Sequence, residues 1–243
     1  MAKVTLITHT PEPDRLVAAA ARLCYSRSAA DKLLQELTPE KTGDFLRMLK
    51  TVGHESPFEH ASFTFAIEGV SRTLLAQITR HRIASFSVRS QRYVSERDFG
   101  FVTPRAIEDN PEAQKAFEKA MESAGEAYSA IADILSKSYE TEGMEKSAAR
   151  KKAGEDARFV LPGSCETQML VTMNARSLTG FFKQRCCARA QWEIRAVADE
   201  MLRLCRSAAP LIFEGAGPAC LKGPCPEGKM TCGKIEEVRG RYR

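Results

Sequence analysis

A chain of 243 residues with 43% hydrophobic and 28% charged residues has the composition of a folded globular protein, long enough to bury a sizeable core in one or two domains. The net charge of +5, from 36 Lys and Arg against 31 Asp and Glu, neither demands a nucleic-acid partner nor excludes an anionic small ligand. No run approaches the ~20 apolar residues of a membrane span, and Met1 to His9 lacks the apolar stretch of a signal peptide. A cytoplasmic location with no membrane partner is the resulting expectation. In a reducing compartment Cys24, Cys165, Cys186, Cys187, Cys205, Cys220, Cys225 and Cys232 are expected as thiols or metal ligands rather than a disulfide framework.

Lys3 to Thr8 alternates through Val4 and Leu6 like a short strand, and Pro11 to Cys24 reads as a helix opening at its own proline. Ala30 to Val52 carries apolar residues at helical spacing, broken near Pro39 into two helices and ended by Gly53. His60 to Glu68 alternates Ala61, Phe63, Phe65 and Ile67, predicting a half-buried strand that stops at Gly69. Ser71 is an N-cap for a helix from Arg72 to about His81. Residues 83–97 read as a loop followed by a short strand at Arg92 to Ser95. Glu112 to Tyr139 and Glu145 to Val160 read as helices, the second ended by Leu161-Pro162-Gly163. Leu170 to Asn174 reads as a strand, and Ser177 to Ala208 as one long amphipathic helix with Trp192 among its apolar positions. After Pro210 the chain is rich in Gly, Pro, Cys and Lys. These elements predict an α+β body, residues 1–209, with a short C-terminal extension, residues 210–243.

Ser71 to Ser95 holds no Asp or Glu, yet carries Arg72, Arg80, His81, Arg82, Arg89 and Arg92 among Ser85, Ser87, Ser90 and Gln91. Forked guanidinium donors beside small hydroxyls are equipment for holding phosphate in fixed geometry. A phosphate track for nucleic acid would use similar residues. Few aromatics interleave these arginines and the charge excess is small, so a small anionic ligand is favoured and no nucleic-acid partner is expected.

Arg80-His81-Arg82, seven residues, then Ser90 and on to Arg92-Tyr93 resembles the signature of the flavin-dependent thymidylate synthases. His54 to His60 (HESPFEH) is similar to that family's upstream segment. Asn174-Ala175-Arg176-Ser177-Leu178 followed by Ala190 to Ile194 (AQWEI) is similar to its downstream one. The resemblance implies an antiparallel sheet flanked by helices, assembled as a homotetramer. It implies FAD bound without a Gly-rich dinucleotide fingerprint, and no G-x-G-x-x-G occurs. The reaction implied is reductive methylation of dUMP to dTMP, with methylenetetrahydrofolate as carbon donor and NADPH reducing the flavin.

The same resemblance implies roles for residues. Ser56, Arg80, His81, Arg82, Asn174, Ala175 and Arg176 would contact FAD, with His54 in the pocket near flavin or folate. Gln77, Arg80, Arg89, Ser90, Gln91, Arg92 and Arg158 would hold dUMP. Arg185 would stand beside the uracil ring as the catalytic cation, stabilising charge that develops on the pyrimidine. The chain departs from the family pattern at Ser87, Val88, Gly180 and Arg189, all at the pocket margin. No general base adjoins Ser90 in sequence, so phosphate binding rather than nucleophilic attack is its expected role, and no cysteine nucleophile is expected. His54 and His60 fit no standard metal spacing. Cys205, Cys220, Cys225 and Cys232 could supply four thiolates to zinc, but their spacing misses the paired C-x2-C pattern, so no metal site is expected.

Overall fold

The computed structural model describes residues 2–242, which divide into two compact units. One comprises Glu68–Gln77 and Val88–Met169. The other comprises Ala2–Ile67, Ile78–Ser87 and the chain from Leu170 onward. The architecture is α+β, with a four-stranded antiparallel sheet in the order β1-β2-β4-β3, as expected.

β1 (Lys3–His9) leads through Pro13 at a helix start into α1 (Pro13–Leu23). α2 (Ala30–Glu36) and α3 (Pro39–Val52) follow, the second opened by Thr38, whose hydroxyl accepts from the Lys41 N–H, and closed by Gly53 at φ 75°. β2 (Ser62–Ser71) has Phe63, Phe65 and Ile67 wholly buried. The Thr10 N–H donates to the Ser62 carbonyl and the Ala175 N–H to the Ala61 carbonyl, so β1 and β4 (Glu166–Asn174) each end where β2 begins. That pattern is the antiparallel register.

Five sequence expectations need correction. β2 runs two residues past Gly69, which takes φ 67° within the strand; beyond it the Arg72 and Thr73 N–H groups donate to Cys165 and Gly163. α4 (Arg72–Ile78) starts as expected, with Ser71 Oγ accepting from the Leu74 N–H, but ends short of His81. The short strand of the next segment is β3 (Ser85–Val88), not Arg92 to Ser95, where the Val94 N–H turns back to Ser90. The expected long helix Ser177 to Ala208 is two, α8 (Ala175–Arg185) and α9 (Trp192–Ala208). Between them the Ala190 N–H closes a turn on Cys187, and Gln191 Oε1 accepts from the Glu193 and Ile194 N–H groups, capping a new helix. Trp192 consequently sits at that helix start, 42% exposed, instead of in the core.

In the first unit, α5 (Arg105–Glu108) precedes α6 (Pro111–Thr141), whose Asn110 cap accepts from the Glu112 and Ala113 N–H groups. α7 (Lys146–Ala157) returns along it, and Tyr128 and Ala132 pack with Ala157. A 3-10 turn, Arg158–Val160, finishes α7 before Pro162.

In the second unit, residues after Pro210 enter the core. Phe213 is fully buried and meets Phe63 and Phe182 edge-on at 5.3 and 5.9 Å. The Leu211 and Ile212 N–H groups donate to Asp14. α10 (Ile235–Tyr242) buries Val238 and Tyr242, and the Tyr242 hydroxyl lies 3.0 Å from the Cys186 carbonyl and 2.5 Å from Asp199. No helix among the described residues is long and apolar enough to cross a membrane.

Candidate functional site

The second unit holds Arg80, His81 and Arg82 in the turn after α4, and Arg185 at the last turn of α8. Across 104 residues of chain the Arg185 Nε–H donates to His81 Nε2 at 3.2 Å, while the imidazole stands edge-on against Phe181 at 4.9 Å. Burial lowers the His81 pKa, and the Arg185 charge lowers it further. The ring is therefore neutral at pH 7, accepting at Nε2 and carrying its proton on Nδ1. Arg80 and Arg82 are exposed and make no hydrogen bond or ion pair among the described residues. Burial disfavours the Arg185 cation, as does the charge of Arg80. The mutual repulsion of the Arg80 and Arg185 charges makes a local positive field that an anion would relieve.

The other expected cofactor residues divide by what their groups already do. Ser56 opens a 3-10 turn, Ser56–His60, and is exposed, as is His54. Asn174 caps α8, its Oδ1 accepting from the Ser177 N–H at 2.8 Å, which leaves the amide nitrogen for a ligand. Ala175 is fully buried with its N–H on Ala61 and its carbonyl taken by the Thr179 hydroxyl, so neither side chain nor backbone is open. Arg176 is paired with Glu59 at 2.5 Å and Glu55 at 3.6 Å. Both pairs are half-exposed and contribute little to stability.

The first unit holds Gln77, Arg89, Ser90, Gln91, Arg92 and Arg158. Arg89 is built into the scaffold: its N–H donates to Gln168, its Nη2 to the Glu166 carbonyl at 2.8 Å, and its buried Nε has no partner. Ser90 Oγ accepts from the Arg92 N–H at 3.2 Å, a local turn that aims both residues. Gln91 Nε2 reaches the Cys165 sulfur at 3.5 Å. Arg92 pairs with Glu155 at 3.3 Å and covers the Tyr93 ring. Gln77 Nε2 donates to the Thr73 carbonyl, and Arg158 begins the 3-10 turn after α7, where its side chain forms no hydrogen bond or ion pair among the described residues.

Two features escaped the sequence reading. Lys50, in the last turn of α3, donates to the Leu211 and Glu214 carbonyls at 2.6 and 3.1 Å, and burial lowers its pKa to about 8. It borders a cavity of about 210 Å³ shared with Glu55, Arg176 and Lys183. No motif marks a lysine whose partners lie 161 and 164 residues away. Glu96, 3% exposed beside Cys165, is the second: burial raises its pKa, partly offset by Arg89 and Arg72. Its signal in sequence was only an acidic residue at the end of a basic stretch. Among the described residues no group of three or more His, Cys, Asp or Glu is set to hold a metal ion.

Residues 5–211 match the family described as thymidylate synthase complementing protein. The chain is 50% identical over 240 residues to the flavin-dependent thymidylate synthase of Clostridium tetani, covering 99% of this chain and 96% of that one. It is 49% identical over 243 residues to that of Geobacter sulfurreducens, covering 99% and 98%. Among solved structures it is similar to a UMP/dUMP methylase, PolB, from Streptomyces cacaoi bound with 5-Br dUMP, with TM-score 0.70 and 26% identity over 88% of this chain and 93% of that one. A match spanning the strand-and-helix body together with the Arg-His-Arg turn and Arg185 leads to one conclusion: the chain belongs to the thymidylate synthase complementing protein family, that of the flavin-dependent thymidylate synthases.

Proposed function

We propose that the protein converts dUMP to dTMP as a flavin-dependent thymidylate synthase: dUMP, methylenetetrahydrofolate, NADPH and a proton become dTMP, tetrahydrofolate and NADP+. The carrying observation is the Arg185–His81 contact, which joins the downstream arginine to the Arg-His-Arg turn, with the Arg80 charge acting on it. The PolB likeness, a dUMP methylase with a dUMP analogue bound, supports the substrate.

The donor set fits FAD. Among the described residues Arg80, Arg82, the His81 Nδ1–H and the Ser56 hydroxyl are uncommitted donors on one unit, suited to a diphosphate and an electron-rich ring. Asn174 adds its amide nitrogen, Arg176 stays near its two glutamates, and Ala175 serves by packing the start of α8. When bound, the flavin supplies the hydride that completes the methyl group, and NADPH restores it.

The chain's residues position and neutralise. Ser90, Arg92 and Arg158 take the dUMP phosphate, with Gln77 and Gln91 donating to sugar or base. Arg89 acts from beneath, holding the Glu166 carbonyl. Arg185, oriented by His81, places a fixed cation where the pyrimidine gains negative charge. No thiolate is at hand beside Gln91, because burial pushes the Cys165 pKa up to about 11, with the Glu96 charge adding to it. That agrees with hydride transfer without a cysteine nucleophile. A homotetramer completes the proposal.

The test is a visible spectrum of the protein supplied with FAD, before and after dUMP, followed by turnover with methylenetetrahydrofolate and NADPH. A flavin band that shifts with dUMP, and turnover reduced by about 10²–10³ in Arg185→Ala, is the expected result. Folded protein that retains no flavin, or makes no dTMP with all substrates present, refutes the proposal.

A further inference from the structure

Four cysteines outside the site converge in the second unit. Cys187 lies in the turn between α8 and α9; Cys220, Cys225 and Cys232 lie in the segment before α10. Arg189, two residues after Cys187, donates to the Met230 carbonyl and pairs with Glu227 at 3.6 Å, binding that turn to the loop between Cys225 and Cys232. A cavity of about 250 Å³ is lined by Cys186 and Ala188, the neighbours of Cys187, together with Cys232. Arg239 holds the Cys220 and Gly223 carbonyls at 3.1 and 2.7 Å. Gly223, Gly228 and Gly233 take φ of 96°, 51° and 73°, left-handed turns that fold the three cysteine-bearing loops back on themselves. Burial raises the Cys220 pKa, and so do three neighbouring sulfurs, those of Cys187, Cys225 and Cys232. Cys205, which could have supplied a fourth thiolate, is instead fully buried in α9.

We propose that Cys187, Cys220, Cys225 and Cys232 form a four-thiolate site for a thiophilic divalent cation, zinc foremost, tying the turn after Arg185 to the C-terminal segment. Four sulfurs without oxygen or imidazole ligands select such an ion and, with all four positions filled, make a structural site. The sulfurs neighbour one another without metal-holding geometry among the described residues. Cys187, Cys225 and Cys232 are half-buried, the last two among the left-handed glycines at 223, 228 and 233, while Cys220 is buried. Each thiol loses its proton to solvent as its sulfur joins the ion, so one ion displaces four protons without any change in oxidation state.

The test uses the full chain, reduced and loaded with Zn²⁺ or, under anaerobic conditions, Co²⁺. Elemental analysis after dialysis is expected to give about one ion per chain. Cobalt should show tetrahedral thiolate d–d bands to the red of flavin absorption, and loading in weak buffer should release close to four protons per ion. Cys225→Ser should lower metal content at least about tenfold, while Cys24→Ser, at an exposed thiol far along the chain, should retain it. Wild-type protein that keeps no ion and shows no cobalt bands overturns the proposal, whatever the variants do. So does a disulfide among the four in unreduced protein, or an unchanged cobalt spectrum in folded Cys225→Ser.

Discussion

Phe213→Ala tests whether the residues after Pro210 are structural. The ring is fully buried, with Phe63 of β2 and Phe182 of α8 edge-on to it at 5.3 and 5.9 Å. Truncation removes the apolar transfer energy of the ring and leaves a hole between a strand and a helix that are themselves fixed, for a cost of about 3–5 kcal/mol. Against a total stability of roughly 5–15 kcal/mol this is a large fraction. At this chain length about 2 °C is lost per kcal/mol, so the midpoint should fall by about 6–10 °C. The assay is urea and thermal unfolding at one protein concentration and one flavin occupancy, since both shift apparent stability. Phe213→Leu, which keeps most of the volume, should lose less than about 1.5 kcal/mol. A double-mutant cycle with Phe182→Ala should show coupling of about 0.5–1.5 kcal/mol. A Phe213→Ala midpoint within about 1 °C of wild type would refute the reasoning, because a core ring cannot be deleted at no cost.

Lys50 carries a pH signature: its folded pKa of about 8 lies below the ordinary 10.5, so the unfolded chain binds more protons between those values and stability rises with pH across that window. Measured from pH 7.5 to 10, the stability difference should move in favour of wild type over Lys50→Met; a difference independent of pH would contradict the burial. A Cβ at Gly163 would lie 2.7 Å from Thr73 Oγ1, so Gly163→Ala should destabilise by about 1–3 kcal/mol and Thr73→Ala should partly rescue it; equal losses with and without the threonine hydroxyl would sink that account. Tyr242→Phe deletes a hydroxyl bridging Cys186 and Asp199 and should cost about 1.5–3 kcal/mol, with little further loss when Asp199→Asn is added; additive losses would show that the two do not act together.

What consecutive residues determine was legible in the sequence. The proline at the start of α1, the Pro39 break, the Ser71 cap and the long period of α6 are local, and each element formed within a few residues of its expected place. The basic segment and the motifs around Arg80, Ser90 and Arg176 were legible for the same reason, since residue type and spacing lie along the chain. Pairing through space is not written there. β2 outruns Gly69 because β4 and the residues before it supply partners a hundred positions away, and the apolar period from Ser177 to Ala208 carries no sign of the turn that Gln191 closes. The His81 pKa is lowered because burial and the Arg185 charge act on it, and Arg89 became scaffold because the Glu166 carbonyl lies within its reach. Cys187 neighbours Cys220 across the turn that separates α8 from α9, whereas Cys205 is buried within α9. Local periodicity selects the elements; burial, charge and ligation depend on distances that exist only after the chain has folded back on itself.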